Sequence, residues 1–307
     1  MTLTLEMRPQ DPPKLWHTFI GEAPSYSIAI DGYVTGGPKF DPNGPWANFN
    51  HHEEVDRLST RATCAQVLMA IRQGLFRRFR NNDGVQMKVY ANDCDEDVCT
   101  TWFLLKNHHI SESTMNPALN RLVHLEDMFD TTAGAYPFPA DLPALKALAW
   151  VFEPYRRARL TGVLDQRDSS TFLGIVTDVE NRIMRYVIGE GDEIALDTRY
   201  ERLGGGSQWA LIREIGGQAK TGAFADGIYA YVSVRDRPDG RFTYTIGRMS
   251  PFIMFDVPKL INILNQHEGT VDNLDRWGGG DTIGGSPRVN GSKLTPGILE
   301  KIINENL

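Results

Sequence analysis

Four groups of acids and imidazoles in the first half of the chain carry side chains of the kind that hold divalent cations. They are Asp31, the adjacent pair His51 and His52, the run Asp93, Asp95 and Asp97, and a later cluster with Asp127 and Asp130. Carboxylates and imidazoles converging on one place suit Mn²⁺ or Mg²⁺. A pair of such ions about 4 Å apart activates a water and neutralises phosphoryl charge. Asp95 and Asp97 lie two apart, so one short extended or tightly turned segment can present both. Each group also has a purely structural reading. An acidic stretch is commonly a solvated loop or a helix N-terminus, Asp31-Gly32 can turn the chain, Asp130-Thr131 can cap a helix, and adjacent histidines are usually one buried and one exposed.

The elements around these residues decide whether they meet. After some twenty weakly patterned, Pro-rich residues, Tyr26–Ile30 reads as a buried strand with Asp31 at its carboxyl end. Residues 33–48 are dense in Gly, Pro and Asn and read as a loop delivering the chain to Asn50-His51-His52. From Thr60 to Phe76, Cys64, Val67, Leu68, Ile71 and Leu75 recur at helical spacing. The cycle then repeats, with Val85–Tyr90 as strand, Asn92–Asp97 as acidic turn and Val98–Lys106 as helix. Such alternation predicts an α/β fold with a parallel sheet, whose ligands bind at the carboxyl ends of the strands. A largely helical middle follows from Leu142 to about Tyr200.

Composition changes at Gly204-Gly205-Gly206, which places the expected division into residues 1–203 and 204–307. Beyond it, residues 227–235 and 241–247 alternate with period two about Asp236–Gly240, a hairpin signal. A helix at Val257–Gln266, a glycine-rich loop at Gly278–Gly285 and a terminal helix from Thr295 complete a smaller α+β unit.

The 307 residues carry 41% hydrophobic content, enough for a buried core, and 32 basic against 39 acidic side chains give a formal charge of −7. That balance offers no global field for long nucleic acid, so any polyanion must be gripped locally. Three cysteines make no disulfide framework, the first residues lack a signal-peptide layout, and no run reaches the roughly 18 apolar residues of a membrane span. A cytoplasmic location with no membrane partner is the expectation. Cys64, Cys94 and Cys99 read as small buried hydrophobes rather than zinc ligands, Trp277 as a packing residue, and Arg77, Arg78 and Arg80 as a solvated basic face.

The motifs resemble those of the DHH phosphoesterase superfamily. Asn50-His51-His52, followed by Ser59–Cys64 opening a helix, is similar to its DHH signature, and Ala91–Asp97 to its HNDCDGD-type metal motif. Phe129–Gly134 resembles its DTG-type motif, and Arg276–Arg288 the GGGH-type loop of the DHHA1 substrate-binding domain. The resemblance spans most of the chain from Tyr26 onward. It implies a parallel-sheet DHH-type domain with a second, smaller α+β DHHA1-like domain, and a manganese-dependent hydrolase holding two ions, with Mg²⁺ as the alternative metal. Asp31 would bridge the ions, with Asp95 on one and Asp97, His51 and Asp130 on the other. His51, His52 and Asp97 form the implied catalytic set, with His52 facing the substrate phosphate. Gly278, Gly279, Gly280, Asp281 and Arg288 would line the substrate, the glycines offering backbone amides and Arg288 a bidentate clamp.

Departures from the pattern are specific. Ala91 stands where the family has a histidine ligand, Asn50 where it has an aspartate, Glu96 where it has glycine, and Asp281 where it has the histidine of the glycine loop. The HNDCDGD-like segment follows the histidine pair instead of preceding it, and Asp127 is the alternative late ligand to Asp130. The expected substrate is small and phosphorylated: a nucleotide, a short single-stranded oligonucleotide, a cyclic dinucleotide or a polyphosphate. Self-association into a homo-oligomer is compatible with this reading. The competing expectation is a catalytically weakened phosphate-ligand-binding or regulatory protein on the same fold.

Overall fold

A computed structural model describes residues 2–271 and 275–307. The protein is mixed α/β, with two multi-stranded sheets in two compact units, the second the smaller, interleaved along the chain. The first unit comprises residues up to Met128, Trp150–Tyr155 and Gln166–Glu193. The second comprises Phe129–Ala149, Arg156–Asp165 and the chain from Ile194 to the C-terminus.

In the first unit the chain runs β1 (Thr2–Met7), α1 (Trp16–Glu22), β2 (Ser27–Ile30), β3 (Lys39–Asp41), β4 (Trp46–Phe49), α2 (Thr63–Arg72), α3 (Leu75–Arg78), β5 (Arg80–Asn81), β6 (Gly84–Ala91), α4 (Glu96–Lys106), α5 (His108–Ser111) and α6 (Pro117–Thr131). The last turn of α6 passes into the second unit. The sheet order is β1-β6-β2-β4-β3, with β1/β6, β6/β2 and β2/β4 parallel, while β3 and the short β5 pair antiparallel. β2 is the central strand and is wholly buried along Ser27–Ile30. That explains its continuous apolar run, since a strand covered on both faces has no polar side to alternate with. Cys64, Val67, Leu68 and Ile71 form the buried stripe of α2, which packs on α4. α4 in turn packs on α9 (Ser169–Val187), the helix that closes this unit.

Between them lie α7 (Pro143–Val151), α8 (Glu153–Leu160) and a short 3₁₀ turn at Val163–Gln166. The second unit continues with β7 (Tyr200–Gly205), β8 (Ala210–Glu214), α10 (Ala219–Ala225), β9 (Ala230–Asp236), β10 (Phe242–Arg248), α11 (Val257–Glu268), β11 (Gly278–Gly279), β12 (Ile283–Gly285) and α12 (Pro296–Asn306). Its sheet order is β11-β12-β10-β9-β8-β7, antiparallel apart from the parallel pair β8/β9. Strand alternation divides its side chains between two cores. Leu211, Val232, Val234, Tyr244 and Ile246 pack with Phe255, Leu260, Leu264, Trp277, Leu299 and Ile303, whereas Ala210, Ile212 and Tyr231 pack with Phe224.

Several sequence expectations need correction. The weakly patterned first residues contain β1 and α1; β1 is an edge strand whose one-sided pairing with β6 leaves it only partly buried, so its apolar signal is thin. The expected loop at 33–48 includes β3 and most of β4, because β4 takes its strand form from pairing with β2 and not from local propensity. Gly74, at φ +101°, breaks the run from Thr60 to Phe76 into α2 and α3. The helical middle ends at Val187. Gly204–Gly206 mark no linker. The change of composition falls in and just after β7, which has a register irregularity between Arg202 and Gly204, and Gly205 N–H donates to Glu300 of α12 at 2.7 Å. No helix among the described residues is long and apolar enough to cross a membrane.

Candidate metal centre

Three adjacent parallel strands, β6, β2 and β4, end on one edge of the first sheet. Registers Ala29↔Tyr90 and Ile30↔Phe49 keep those ends level. Strands in a sheet lie about 4.8 Å apart, so residues just past these ends are brought together whatever their separation in sequence. Asp31 follows β2, Asn50-His51-His52 follow β4, and Asn92–Asp97 follow β6 into α4.

Asp31 adopts φ +50°, a left-handed conformation that Asp and Asn tolerate better than other side chains, and its N–H is held by Phe49 O at 2.9 Å. Its carboxylate is buried. Oδ1 accepts hydrogen bonds from His52 Nε2 at 2.7 Å and Thr63 Oγ1 at 3.2 Å. His51 is fully buried, with Nε2 3.5 Å from Asp31 Oδ1 and 3.6 Å from Asp97 Oδ2. Ligand atoms of Asp31, His51 and Asp97 lie within 4.8 Å of one another, and so do those of Asp31, His51 and His52. A buried group of two carboxylates and an imidazole has the donor set for a divalent ion. Burial on its own would raise the Asp31 carboxyl; the imidazoles of His52 and His51 against it reverse that and hold it well below the usual carboxylate range.

Asp97 has a second task. The residue before α2 is Ala62, which offers no side-chain cap. Asp97 supplies one from α4, with Oδ2 accepting Thr63 N–H at 2.7 Å and Oδ1 accepting Cys64 N–H at 2.6 Å. Asp127, on α6, accepts Ala62 N–H at 2.7 Å and Arg61 Nη1 at 3.1 Å. The N-terminus of α2 is therefore capped by two carboxylates borrowed from other helices, a favourable place for negative charge.

Asn50 works here as an amide. Its Nδ2 donates to Val34 O at 3.1 Å and Gly36 O at 2.9 Å, and its Oδ1 accepts His52 N–H at 3.0 Å. A carboxylate has no N–H to give those two carbonyls. The amide fixes the histidine pair against the loop after β2. Arg57, absent from the sequence reading, is buried beneath the same pair, with Nε donating to His51 O at 3.1 Å and Nη2 lying 3.0 Å from His52 Nδ1. A charged residue in a polar segment gives no sequence signal of this role.

The remaining expected site residues are placed as follows. Asp95 is the N-cap of α4, accepting Val98 N–H at 2.9 Å, and is not a member of either ligand group. Asp93 accepts Cys94 N–H at 2.8 Å, and Ala91 is buried at the end of β6. Asp130 sits in the last turn of α6, three residues past Asp127, in chain that belongs to the second unit. Gly278, Gly279 and Gly280, expected in an open phosphate cradle, instead form one side of a small hairpin, with Gly280 N–H donating to Ile283 O at 2.8 Å. Gly279, at φ +151°, is required there because a Cβ would strike Gly284 Cα and Ile283 O. Asp281 O accepts Arg248 Nε at 2.9 Å, and Arg288 is exposed. Trp277 is buried, stacked on Tyr244 at 5.7 Å between ring centroids. All three cysteines are buried and free, and burial pushes each thiol up.

Compared with known protein-family models, with curated proteins and with solved structures, the chain matches none.

Proposed function

We propose that the first unit is a metal-dependent phosphoesterase of the DHH type acting on a small phosphorylated substrate, with Asp31, His51 and Asp97 holding a divalent ion. The observation carrying this reading is the burial of those three side chains, within ligand distance of one another, at the carboxyl ends of adjacent parallel strands. Leaving two carboxylates and an imidazole buried together without a cation costs desolvation that a bound metal offsets. Mn²⁺ fits a mixed oxygen and nitrogen donor set better than Mg²⁺, which favours oxygen alone. When bound, the ion would supply a Lewis acid for a phosphoryl oxygen and lower the pKa of a coordinated water. Asn50 fixes the backbone that carries both histidines, and His52 aims the Asp31 carboxylate. A DHHA1-like role for the second unit belongs to the same proposal.

One observation favours the weaker, ligand-binding alternative. Ala91 has no ligand atom and Asp95 belongs to neither ligand group, so the first metal of a two-ion site has fewer donors than the resemblance implies. We propose a single ion at these residues where the resemblance implies two.

Metal content of protein purified without chelator, followed by Mn²⁺-dependent hydrolysis of bis(p-nitrophenyl) phosphate, tests the proposal. About one ion per chain, with activity lost in His51→Ala and Asp31→Asn, is the expected result. Absence of bound metal together with wild-type turnover equal to that of the variants overturns it.

A further inference from the structure

His52 has both ring nitrogens engaged, and the identity of its partners fixes where the proton sits. Arg57 Nη2, 3.0 Å from Nδ1, belongs to a guanidinium that only donates, so Nδ1 must be the acceptor. Nε2, 2.7 Å from Asp31 Oδ1, must then carry the hydrogen, because a carboxylate only accepts. A proton on Nδ1 would face the N–H of Arg57. The guanidinium is itself fixed by a second bond, Nε to His51 O at 3.1 Å, and is buried at 3% exposure. Gly32, at φ +81°, clears room for the ring, since a Cβ there would lie 3.2 Å from His52 Cδ2.

We infer that Arg57 is a positioning residue. It locks His52 as the Nε2–H tautomer, which keeps His52 out of the metal's coordination shell and makes it the hydrogen-bond donor that aims Asp31. This rests on the metal-site reading above and assigns different work to two neighbouring histidines. His51, with Nε2 3.5 and 3.6 Å from the two carboxylates, is a ligand; His52 orients one. The relay Arg57–His52–Asp31 is the arrangement by which outer groups set the angle and basicity of a metal-binding carboxylate.

Long-range ¹H–¹⁵N correlation spectra of the full chain labelled at histidine test this directly. His52 is identified by the signals lost in His52→Gln. Expected is one protonated-type Nε2 and one unprotonated-type Nδ1 in metal-free wild type, unchanged when Mg²⁺ is added. Arg57→Met is expected to release the ring into a mixture of tautomers, and Arg57→Lys to restore the lock in part. An Nδ1–H or doubly protonated His52 in wild type overturns the inference, and that spectrum decides even if an Arg57 variant fails to fold. Mn²⁺ titration calorimetry separates orientation from ligation. His52→Gln should weaken binding roughly 10- to 100-fold, whereas His51→Ala should abolish it; equal loss in the two makes His52 a ligand and overturns the assignment. If wild type binds no Mn²⁺ at all, the metal reading fails, while the spectrum still decides whether Arg57 holds the tautomer.

Discussion

Asp97, in the first turn of α4, closes the first turn of α2 through Thr63, accepting its backbone N–H at 2.7 Å while the other carboxylate oxygen takes that of Cys64. The same carboxylate lies 3.6 Å from His51 Nε2, so one side chain joins helix packing to the candidate metal centre. Removing it should damage both.

Asp97→Ala is therefore expected to lower stability by about 3 kcal/mol, a lost cap together with two buried N–H groups left without acceptors. Asp97→Asn keeps one acceptor and should cost about half as much. Urea unfolding measures both. A midpoint for Asp97→Ala equal to wild type would rule out the capping role. The same coupling makes His51 and Asp31 the cleaner sites for testing metal binding.

Asn50→Asp is expected to destabilise, by about 2–4 kcal/mol, although it changes only the amide group to a carboxylate. The new carboxylate faces the Val34 and Gly36 carbonyls with no hydrogen to donate, and it is buried. Thermal melts settle the matter. Unchanged or raised stability would mean that the amide does not hold the histidine segment.

Metal should stabilise the wild type, by about 2.7 kcal/mol at a concentration one hundred times its Kd. Asp31→Asn is the informative control, because Asn accepts the φ of +50° at this position and removes the charge and one acceptor oxygen while keeping the side chain's size. Melting curves with MnCl₂ and with EDTA should differ for wild type and coincide for the variant. An equal Mn²⁺ shift in both would place the ion elsewhere.

In the second unit, Glu214 is buried with Arg159 Nη2 2.7 Å from its carboxylate. Burial pushes its carboxyl up, but the attraction of Arg159 and then Lys220 outweighs this and brings it down to about 2. A folded value below the unfolded one of 4.5 means that this group's stabilisation is complete above that pH. It is lost as pH falls through about 2. The amount is on the order of 3 kcal/mol. Urea midpoints measured from pH 6 down to pH 2 should converge for wild type and Glu214→Gln. Curves that stay parallel over that range would contradict the assignment.

Gly279→Ala should unravel the hairpin β11–β12, since the added Cβ meets Gly284 Cα and Ile283 O and the φ of +151° is strained for alanine. Amide exchange at Gly280, whose N–H is bonded to Ile283 O, is the measurement. Protection there equal to wild type would show that the hairpin does not require glycine at this position.

Much of the fold is legible in local pattern. The buried run Ser27–Ile30, the stripe of Cys64, Val67, Leu68 and Ile71, the alternation on either side of Asp236–Gly240 and the strand–acid–helix cycle from Val85 to Lys106 each depend on neighbours in sequence, and each forms the expected element. That the cycle makes a parallel sheet also places Asp31, His51 and the segment ending in Asp97 on one edge, because parallel strands end level. Tertiary structure alone decided the assignments within that edge. Asp95 and Asp97 are two residues apart and equally acidic, yet one caps its own helix and the other reaches a different helix and the histidine, a distinction set by where α2 lies. Arg57 and Asn50 acquire their roles from carbonyls and ring nitrogens delivered by backbone folded around them. Hydrogen bonds between segments distant in sequence leave no periodicity to read, and the same residue type serves as ligand, cap or solvated charge according to what the fold sets beside it.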